Sequence, residues 1–257
     1  MKTRGLNAFH LKIIALIFMV LDHLYSHLFY QIWPEWVGLL TRFVAPLFLY
    51  LMVEGYYHTR NKKKYAQRLF IAAAVMMAGN VAINLFFHNT EALTGKMTFW
   101  SLIDGHNIFL TLGLLFMIIW CLDKIQLKEG HLFLNILGLL IFGFLSLWTE
   151  GGFYLLPLAV IFKLCYQKMG KICLFTALFC LLLLVEAFLP FVTGSASGSL
   201  YSALCFDSEW AMVTVLPFIL SYNGQRGRNS LATKYMFYVI YPLHLWLLMI
   251  LRFLIMK

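Results

Sequence analysis

Several ionisable side chains lie inside apolar runs of this sequence, where their types and spacing could support proton-transfer chemistry. Asp22 and His23 are adjacent in the first run, and Arg42 and Glu54 lie in the second. Ionisable residues within membrane helices are costly and usually face the protein interior or a water-filled cavity. We therefore interpret His23 as a general base or a proton relay whose pKa is set by burial and neighbouring groups. The alternative is that Asp22 and His23 form a hydrogen-bonded polar pair that only joins helices.

Lys12 and His23 are eleven residues apart in the first run. At about 100° per helical residue, their side chains point within about 20° of each other and lie roughly 16 Å apart along the axis. Asp22 points about 100° away from His23, so it does not simply orient its neighbour. We expect Asp22 to pair with Arg42 or with an asparagine of the third run.

Further polar residues in apolar runs are candidates for supporting roles. Asn80 and Asn84 lie in the third run, Asn107 begins the fourth, and His244 lies in the last. The amide groups could hold a reacting carbonyl or its oxyanion by hydrogen bonds. His244 is equally well explained as a core histidine, and His106, at the start of the fourth run, as an ordinary interfacial residue.

A basic segment follows the second apolar run. It contains His58, Arg60, Lys62–Lys64 and Arg68. Membrane topology and contact with anionic lipids would explain it without any special function. A sharper hypothesis is that Arg60 and Arg68, helped by the lysines, attract the phosphates of a cytosolic donor. The two interpretations are compatible.

The composition requires a membrane environment. The chain has 257 residues, of which 62% are hydrophobic and 12% charged, with a net charge of +9. Soluble domains are nearer half apolar and about a quarter charged. The basic residues lie in short gaps between apolar runs, so nucleic-acid binding is excluded as the reason for the positive charge. The five cysteines form no CxxC or Cys/His pair, and we predict neither a disulfide framework nor a metal site.

Nine apolar runs are long enough to suggest spanning helices, with the sixth the shortest and eight as the fallback count. They begin at Leu11, Val37, Leu69, His106, His131, Gly152, Ile172, Phe206 and Tyr235. The gaps between them are alternately basic and acidic, a pattern that places basic gaps in the cytosol. The sequence therefore predicts an all-α polytopic bundle, one domain over residues 1–257, with a cytosolic N-terminus and an external C-terminus.

Segments from most of the chain resemble the TraX family. They are Leu11–Ala15, Met19–His23, Arg42–Phe48, Glu54–Asn61, Asn107–Leu112 and Tyr241–Leu245. The resemblance implies a bacterial inner-membrane acetyltransferase, in a family whose named member is linked to N-terminal acetylation of conjugative pilin. It also implies kinship with the acyltransferase-3 membrane group, in which a basic residue and a histidine are separated by ten residues, as Lys12 and His23 are. That group often has Arg at the position of Lys12, and a lysine cannot make the bidentate contacts of arginine.

By this resemblance, acetyl-CoA binds near Lys12, His58, Arg60 and Arg68 and gives its acetyl group to an amine or hydroxyl at the outer side. His23 is then the general base, Asp22 and Arg42 set its electrostatics, and the asparagines hold the thioester. The acceptor, whether glycan, peptide or small molecule, is not identified. The alternative function is a proton-coupled transporter or flippase with Asp22, His23 and Glu54 as relay. The absence of an internal repeat counts against it.

Overall fold

A computed structural model of the protein describes residues 5–91, 94–194, 199–228 and 230–255, and these residues are helical almost throughout. Residues Tyr25–Phe29 form a π-helical turn, and residues Ser208–Thr214 form a 3₁₀ helix. The α-helices are α1 (Ala8–Leu24), α2 (Val37–Thr41), α3 (Val44–His58), α4 (Lys62–Phe86), α5 (Phe99–Ile103), α6 (Ile108–Leu127), α7 (Leu132–Ser146), α8 (Gly152–Leu164), α9 (Met169–Val192), α10 (Leu200–Phe206), α11 (Val215–Ser221) and α12 (Leu231–Ile255).

Each of the nine predicted apolar runs coincides with a helical segment, which confirms the all-α membrane fold. Among the described residues, six segments are long and apolar enough to cross a membrane. A seventh, Leu200–Phe206 with Ser208–Ser221, is bent by 70°. Helices α7 and α8 have 15 and 13 residues. They are roughly 22 and 20 Å long, which is shorter than the hydrocarbon core of about 30 Å.

The third run shows the largest boundary difference. It was predicted to begin at Leu69, but α4 begins at Lys62 because Asn61 caps the helix by accepting a hydrogen bond from the Lys64 backbone N–H. The three lysines therefore form the first turn of α4, and Arg68 lies in its second turn.

The chain forms two compact units. Unit 1 contains Met1–Glu54 and Pro157–Lys234, and unit 2 contains Gly55–Leu156 and Tyr235–Lys257. The boundaries fall inside α3, α8 and α12. The single domain over residues 1–257 stays a prediction.

In unit 1 the first and last basic gaps lie at the same end. The Leu6 backbone N–H donates to the Ser221 carbonyl at 2.8 Å. Lys12 then lies within electrostatic range of Arg226. Lys2 and Arg4, which the charge pattern also included, lie outside the described residues.

Two acidic gaps of unit 1 also share an end. The Tyr201 hydroxyl accepts a hydrogen bond from the Trp36 backbone N–H at 3.3 Å, and the Ser202 hydroxyl donates to Glu35 at 3.4 Å. In unit 2, Glu150 meets the start of α6. Within unit 1, the acidic gaps and the first and last basic gaps therefore lie at different ends of the helices, while the assignment of either end to the cytosol stays a prediction.

Candidate functional site

The Glu150 carboxylate is the centre of a hydrogen-bonded cluster in unit 2. One oxygen lies 2.7 Å from His106 Nδ1, and the other accepts the Asn107 backbone N–H at 2.7 Å. The second oxygen also accepts the Tyr241 hydroxyl at 3.2 Å. Three groups from α12 and the start of α6 thus converge on one carboxylate and fix its position.

The sequence around Asn107 explains this convergence. Asn107 is the N-cap of α6, where its side-chain oxygen accepts from the Leu110 N–H and its amide donates to the Ala73 carbonyl at 3.0 Å. The N-terminus of a helix presents backbone N–H groups and a partial positive charge, so it stabilises an anion. Glu150 takes this position, and the Thr111 hydroxyl also holds the Glu150 carbonyl at 2.9 Å.

Two glycines form the turn that presents Glu150. Gly151 has φ of +64°, in the left-handed region, and a Cβ at Gly152 would collide with the Ser146 carbonyl. The chain can therefore turn sharply from the end of α7 into α8 directly after the carboxylate.

Asn80 supports His106 from α4. Its side-chain amide donates to the His106 carbonyl at 3.3 Å, and its oxygen accepts the Trp246 indole N–H at 3.1 Å. The indole lies directly on the α4 backbone at Gly79, where a Cβ would overlap the ring. Gly105 has φ of +131°, and a Cβ there would approach the Asn80 amide nitrogen to 2.7 Å. Both glycines permit close packing around the Asn80 side chain.

This arrangement is suited to general-base catalysis. When the imidazole donates its Nδ1–H to the Glu150 carboxylate, the lone pair is on Nε2, and the resulting imidazolium is stabilised by the neighbouring negative charge. The His106 and Glu150 side chains are 37% and 28% exposed, so both are accessible from outside the protein core. Tyr241 and Asn107 are buried.

At the opposite end of unit 2, an ion pair joins the start of α4 to the end of α6. Lys62 Nζ lies 2.9 Å from Asp123, and both Lys62 and the carboxylate bond to the Tyr56 hydroxyl. Asn107 and Asp123 are sixteen residues apart, which corresponds to about 24 Å along α6. The His106–Glu150 dyad and the basic start of α4 are therefore separated by most of the thickness of a membrane.

The predicted donor residues are divided between the two units. His58 and Arg60 are exposed near the start of α4, whereas Arg68 is partly buried inside unit 2. Lys62 is already paired with Asp123, so it is less available to phosphates than the sequence suggested. Lys12 belongs to unit 1.

In unit 1, the predicted pairing of Asp22 with Arg42 is wrong; the alternative partner, an asparagine of the third run, belongs to unit 2, and that pairing stays a prediction. Asp22 accepts a hydrogen bond from the Thr41 hydroxyl at 2.5 Å, and Arg42 Nε donates to the buried Ser208 hydroxyl at 2.6 Å. Thr41 ends α2 and Arg42 follows it, and these adjacent side chains point to different partners. Among the described residues, neither Asp22 nor Arg42 makes an ion pair.

His23 and Lys12 share α1, as the sequence predicted. His23 is 5% exposed and continues the buried stripe of Leu11, Ala15 and Met19. Its carbonyl lies 3.1 Å from His27 Nδ1 in the π-helical turn. Lys12 is half-buried beside this stripe. The role of His23 as catalytic base stays a prediction.

Glu54 is the hydrogen-bond partner of Tyr50, one turn earlier in α3. Beyond the membrane-spanning segments, burial raises the pKa of the Tyr222 hydroxyl to about 12, and the nearby Glu54 carboxylate adds to the effect. Tyr222 is therefore a neutral hydrogen-bonding group at physiological pH.

The remaining candidates have structural partners in unit 2. Asn84 donates both amide hydrogens to the Leu102 and Asp104 carbonyls, each at 2.9 Å, so it has no donor left for an oxyanion while these bonds persist. Asn80 and Asn107 each retain one amide hydrogen. His244 Nδ1 bonds to the Ile240 carbonyl at 2.8 Å, and its ring lies 5.7 Å from that of Tyr241.

Sequence reasoning missed Glu150 and Tyr241 and gave His106 no role. Glu150 lies in a gap between two apolar runs and was interpreted only as a topological charge. One available signal was that this gap contains a single ionisable residue, directly before Gly151 and Gly152. A carboxylate presented by so tight a turn has a defined position.

Comparison with known proteins finds similarity over almost the whole chain. The chain is 28% identical over 254 residues to a probable fimbrial assembly protein FimC, serogroup H1, of Dichelobacter nodosus, covering 94% of each chain. No solved structure matches it. The profile of the TraX protein family matches residues 8–252. The chain therefore belongs to the TraX family.

Proposed function

We propose that this protein is a membrane-embedded acyltransferase that moves an acetyl group from acetyl-CoA to an amine or hydroxyl. The observation that carries the proposal is His106 held through Nδ1 by a carboxylate that itself accepts the Asn107 N–H and the Tyr241 hydroxyl. An oriented imidazole that can take a proton at Nε2 is what activation of such an acceptor requires.

The reaction follows from this geometry. His106 removes the proton from the acceptor nitrogen or oxygen as that atom attacks the thioester carbonyl carbon. The new C–N or C–O bond forms, the C–S bond breaks, and the imidazolium returns its proton to the departing CoA thiolate. The products are the acetylated acceptor and CoA–SH. The Glu150 carboxylate stabilises the imidazolium between the two proton transfers.

The donor would approach the basic end of unit 2. His58, Arg60, Lys63 and Lys64 are exposed there, and their charge attracts phosphates. The thioester carbon must then reach the dyad, about 24 Å farther along α6. The acceptor would approach from the other side of the membrane.

Family membership and the relative's name support an acceptor connected with surface-fibre assembly. The relative is called a fimbrial assembly protein, and its chain is matched almost throughout. We propose that this protein acts in the cytoplasmic membrane of a bacterium, on an acceptor that has been exported or presented at the outer side.

The test is CoA release from acetyl-CoA by the purified protein in lipid nanodiscs, with membrane extract as acceptor source. We expect His106→Ala to lower the rate by about 10²–10⁴-fold. His23→Ala is measured in parallel because the family resemblance assigns catalysis to His23. Loss of activity in His23→Ala alone would move the base to His23 and leave the reaction class intact.

A proton-coupled transporter is the competing function. A histidine–carboxylate pair could also relay protons, as could Asp22, His23 and Glu54. If the wild-type protein neither binds a CoA thioester nor releases CoA from it, the acyltransferase proposal is refuted and the transporter becomes the leading explanation.

A further inference from the structure

Glu186 is an acidic residue on the exposed apolar surface of unit 1. It lies in α9, the most apolar of the six segments that can cross a membrane, and it is the only acidic residue of that helix. Glu186 is exposed, and its neighbours on the same side, Leu182 and Leu189, are 67% and 55% exposed. Leu183 and Ala187 are buried and attach α9 to the rest of unit 1. The carboxylate therefore lies on the surface that faces lipid.

The depth of Glu186 makes this exposure costly. Helix α9 has 24 residues. It is roughly 36 Å long, so each end of a centred α9 extends about 3 Å beyond a hydrocarbon core of about 30 Å. Glu186 precedes the helix end at Val192 by six residues, which places its Cα about 6 Å inside the hydrocarbon. Helical side chains lean towards the N-terminus, here towards the middle of the membrane, so the carboxylate is directed away from the nearer surface.

A second acceptor at the same residue lacks its regular donor. Pro190 lies four residues after Glu186 in α9 and has no N–H, so the Glu186 carbonyl loses the hydrogen bond that a helix normally supplies. Within the described ranges of the chain, no group forms an ion pair or a hydrogen bond with the Glu186 carboxylate. Unsatisfied polar groups are costly in hydrocarbon because no water replaces the missing partner. Glu186 therefore offers several acceptor oxygens to donors from another molecule.

The chemistry of this surface favours a cation with several N–H groups. A lysine has three donors and an arginine has five, so one such side chain can bond to both the carboxylate and the carbonyl. A soluble cation would have to leave water to reach this depth, whereas the side chain of a spanning helix is already in the membrane. Leu182, Val185 and Leu189 are exposed beside Glu186 and provide an apolar surface against which such a helix can pack.

We propose that Glu186 docks a membrane-spanning helix of another protein through a lysine or arginine at the matching depth. The proposal concerns a surface of unit 1, and it does not depend on acetyl transfer by the His106–Glu150 cluster of unit 2. A second copy of this chain and the amine of a lipid headgroup are the competing occupants.

The experiment measures binding of a synthetic spanning peptide to the purified full chain in phosphatidylcholine liposomes, by energy transfer between two fluorophores. The probe is an oligoleucine helix with one lysine at the depth of Glu186, and the comparison peptide has glutamine in place of that lysine. We expect the lysine peptide to bind the wild type about 5–30-fold more tightly than it binds Glu186→Gln. The glutamine peptide should bind both proteins with the same low affinity. The matched control Lys171→Gln removes an exposed charge from the same helix and should bind the lysine peptide as the wild type does.

Charge reversal provides a second variant. Glu186→Lys should lose affinity for the lysine peptide and should bind a peptide with glutamate at that position about 5–30-fold more tightly than the wild type does. Because Glu186 is exposed, neither variant should have a Tm more than about 2 °C below that of the wild type. A loss of peptide binding is then not explained by unfolding.

Equal affinity of the lysine peptide for the wild type and Glu186→Gln would overturn the proposal. Energy transfer between two labelled copies of the protein that requires Glu186 and occurs without peptide would also overturn it, since a second copy would then cover the site. Addition of phosphatidylethanolamine should leave the affinity for the lysine peptide unchanged. If this lipid abolishes the difference between wild type and Glu186→Gln, the occupant is a lipid amine instead of a protein helix.

Discussion

The Glu150 carboxylate has two roles that substitutions can separate. It accepts hydrogen bonds from Asn107 and Tyr241, and it orients the His106 imidazole. In Glu150→Gln, the side-chain oxygen can still accept the Asn107 N–H and the Tyr241 hydroxyl, which lie 2.7 and 3.2 Å from one carboxylate oxygen. The new NH₂ group then faces His106 Nδ1 and donates to it. The imidazole is driven to carry its proton on Nε2, so it can no longer accept one there. Glu150→Ala removes the acceptor altogether.

The magnitudes follow from these contacts. Loss of the charge at the N-terminus of α6 should cost Glu150→Gln about 0.3–2 kcal/mol of stability. Glu150→Ala leaves the buried Asn107 N–H without its acceptor and removes a Tyr241 hydrogen bond, which together should cost about 2–4 kcal/mol. For catalysis, the wrong tautomer should lower the rate of Glu150→Gln by about 10²–10⁴-fold, comparable with His106→Ala.

Two assays on the same preparations test this reasoning. In thermal unfolding in nanodiscs, the Tm of Glu150→Gln should be close to that of the wild type, and the Tm of Glu150→Ala should be clearly lower. The rate of CoA release from acetyl-CoA should instead be similarly low in Glu150→Gln and Glu150→Ala. A Glu150→Gln variant with wild-type activity would refute the orienting role of the carboxylate. A Glu150→Ala variant as stable as the wild type would refute the hydrogen-bond network.

Three more predictions concern unit 2. Gly79→Ala should place a methyl group in the Trp246 indole and lower the free energy of unfolding by about 1–3 kcal/mol, measured by denaturation of the purified protein; an unchanged stability would contradict the packing. Asp123→Asn should lower the free energy of unfolding by about 1–3 kcal/mol, because Lys62 loses its charged partner. The matched control, Lys63→Met at an exposed neighbour, should change the free energy of unfolding by less than about 0.5 kcal/mol. In a cysteine-free background, a cysteine introduced by Lys63→Cys should react with a membrane-impermeant thiol reagent only from the cytosolic side, and labelling from outside in intact cells would reverse the predicted orientation.

The membrane fold could be predicted from the sequence because it depends on bulk properties. Each of the nine apolar runs coincides with a helical segment of the described residues, although only six, or up to seven, are long and apolar enough to span a membrane. Within unit 1, the charge pattern correctly grouped the first and last basic gaps at one end. The positions of Lys12 and His23 on one helix followed from simple geometry. Helix length and breaks could not be predicted as well, since the cap at Asn61 and the bend at Asp207 depend on local hydrogen bonds and tertiary packing.

The site was harder to predict because its pairings are tertiary. Asp22 was assigned to Arg42, which directly follows its actual partner Thr41, because hydropathy does not show which of two adjacent side chains faces α1. Glu150 is 44 residues from its partner His106 and 91 from Tyr241. Periodicity within single runs contains no information on such contacts. The asparagines were recognised as unusual, but their roles as caps and backbone supports become evident only from the fold.

The most direct test of the account is transfer of a labelled acetyl group across sealed membrane vesicles. Vesicles that contain wild-type protein or Glu150→Gln, with the basic end of unit 2 outward, receive labelled acetyl-CoA in the external medium. We predict that label appears in acceptor material protected inside the wild-type vesicles and falls by about 10²-fold or more with Glu150→Gln. Equal labelling by both proteins, or no labelling by the wild type, would contradict the proposed catalytic role of the His106–Glu150 dyad.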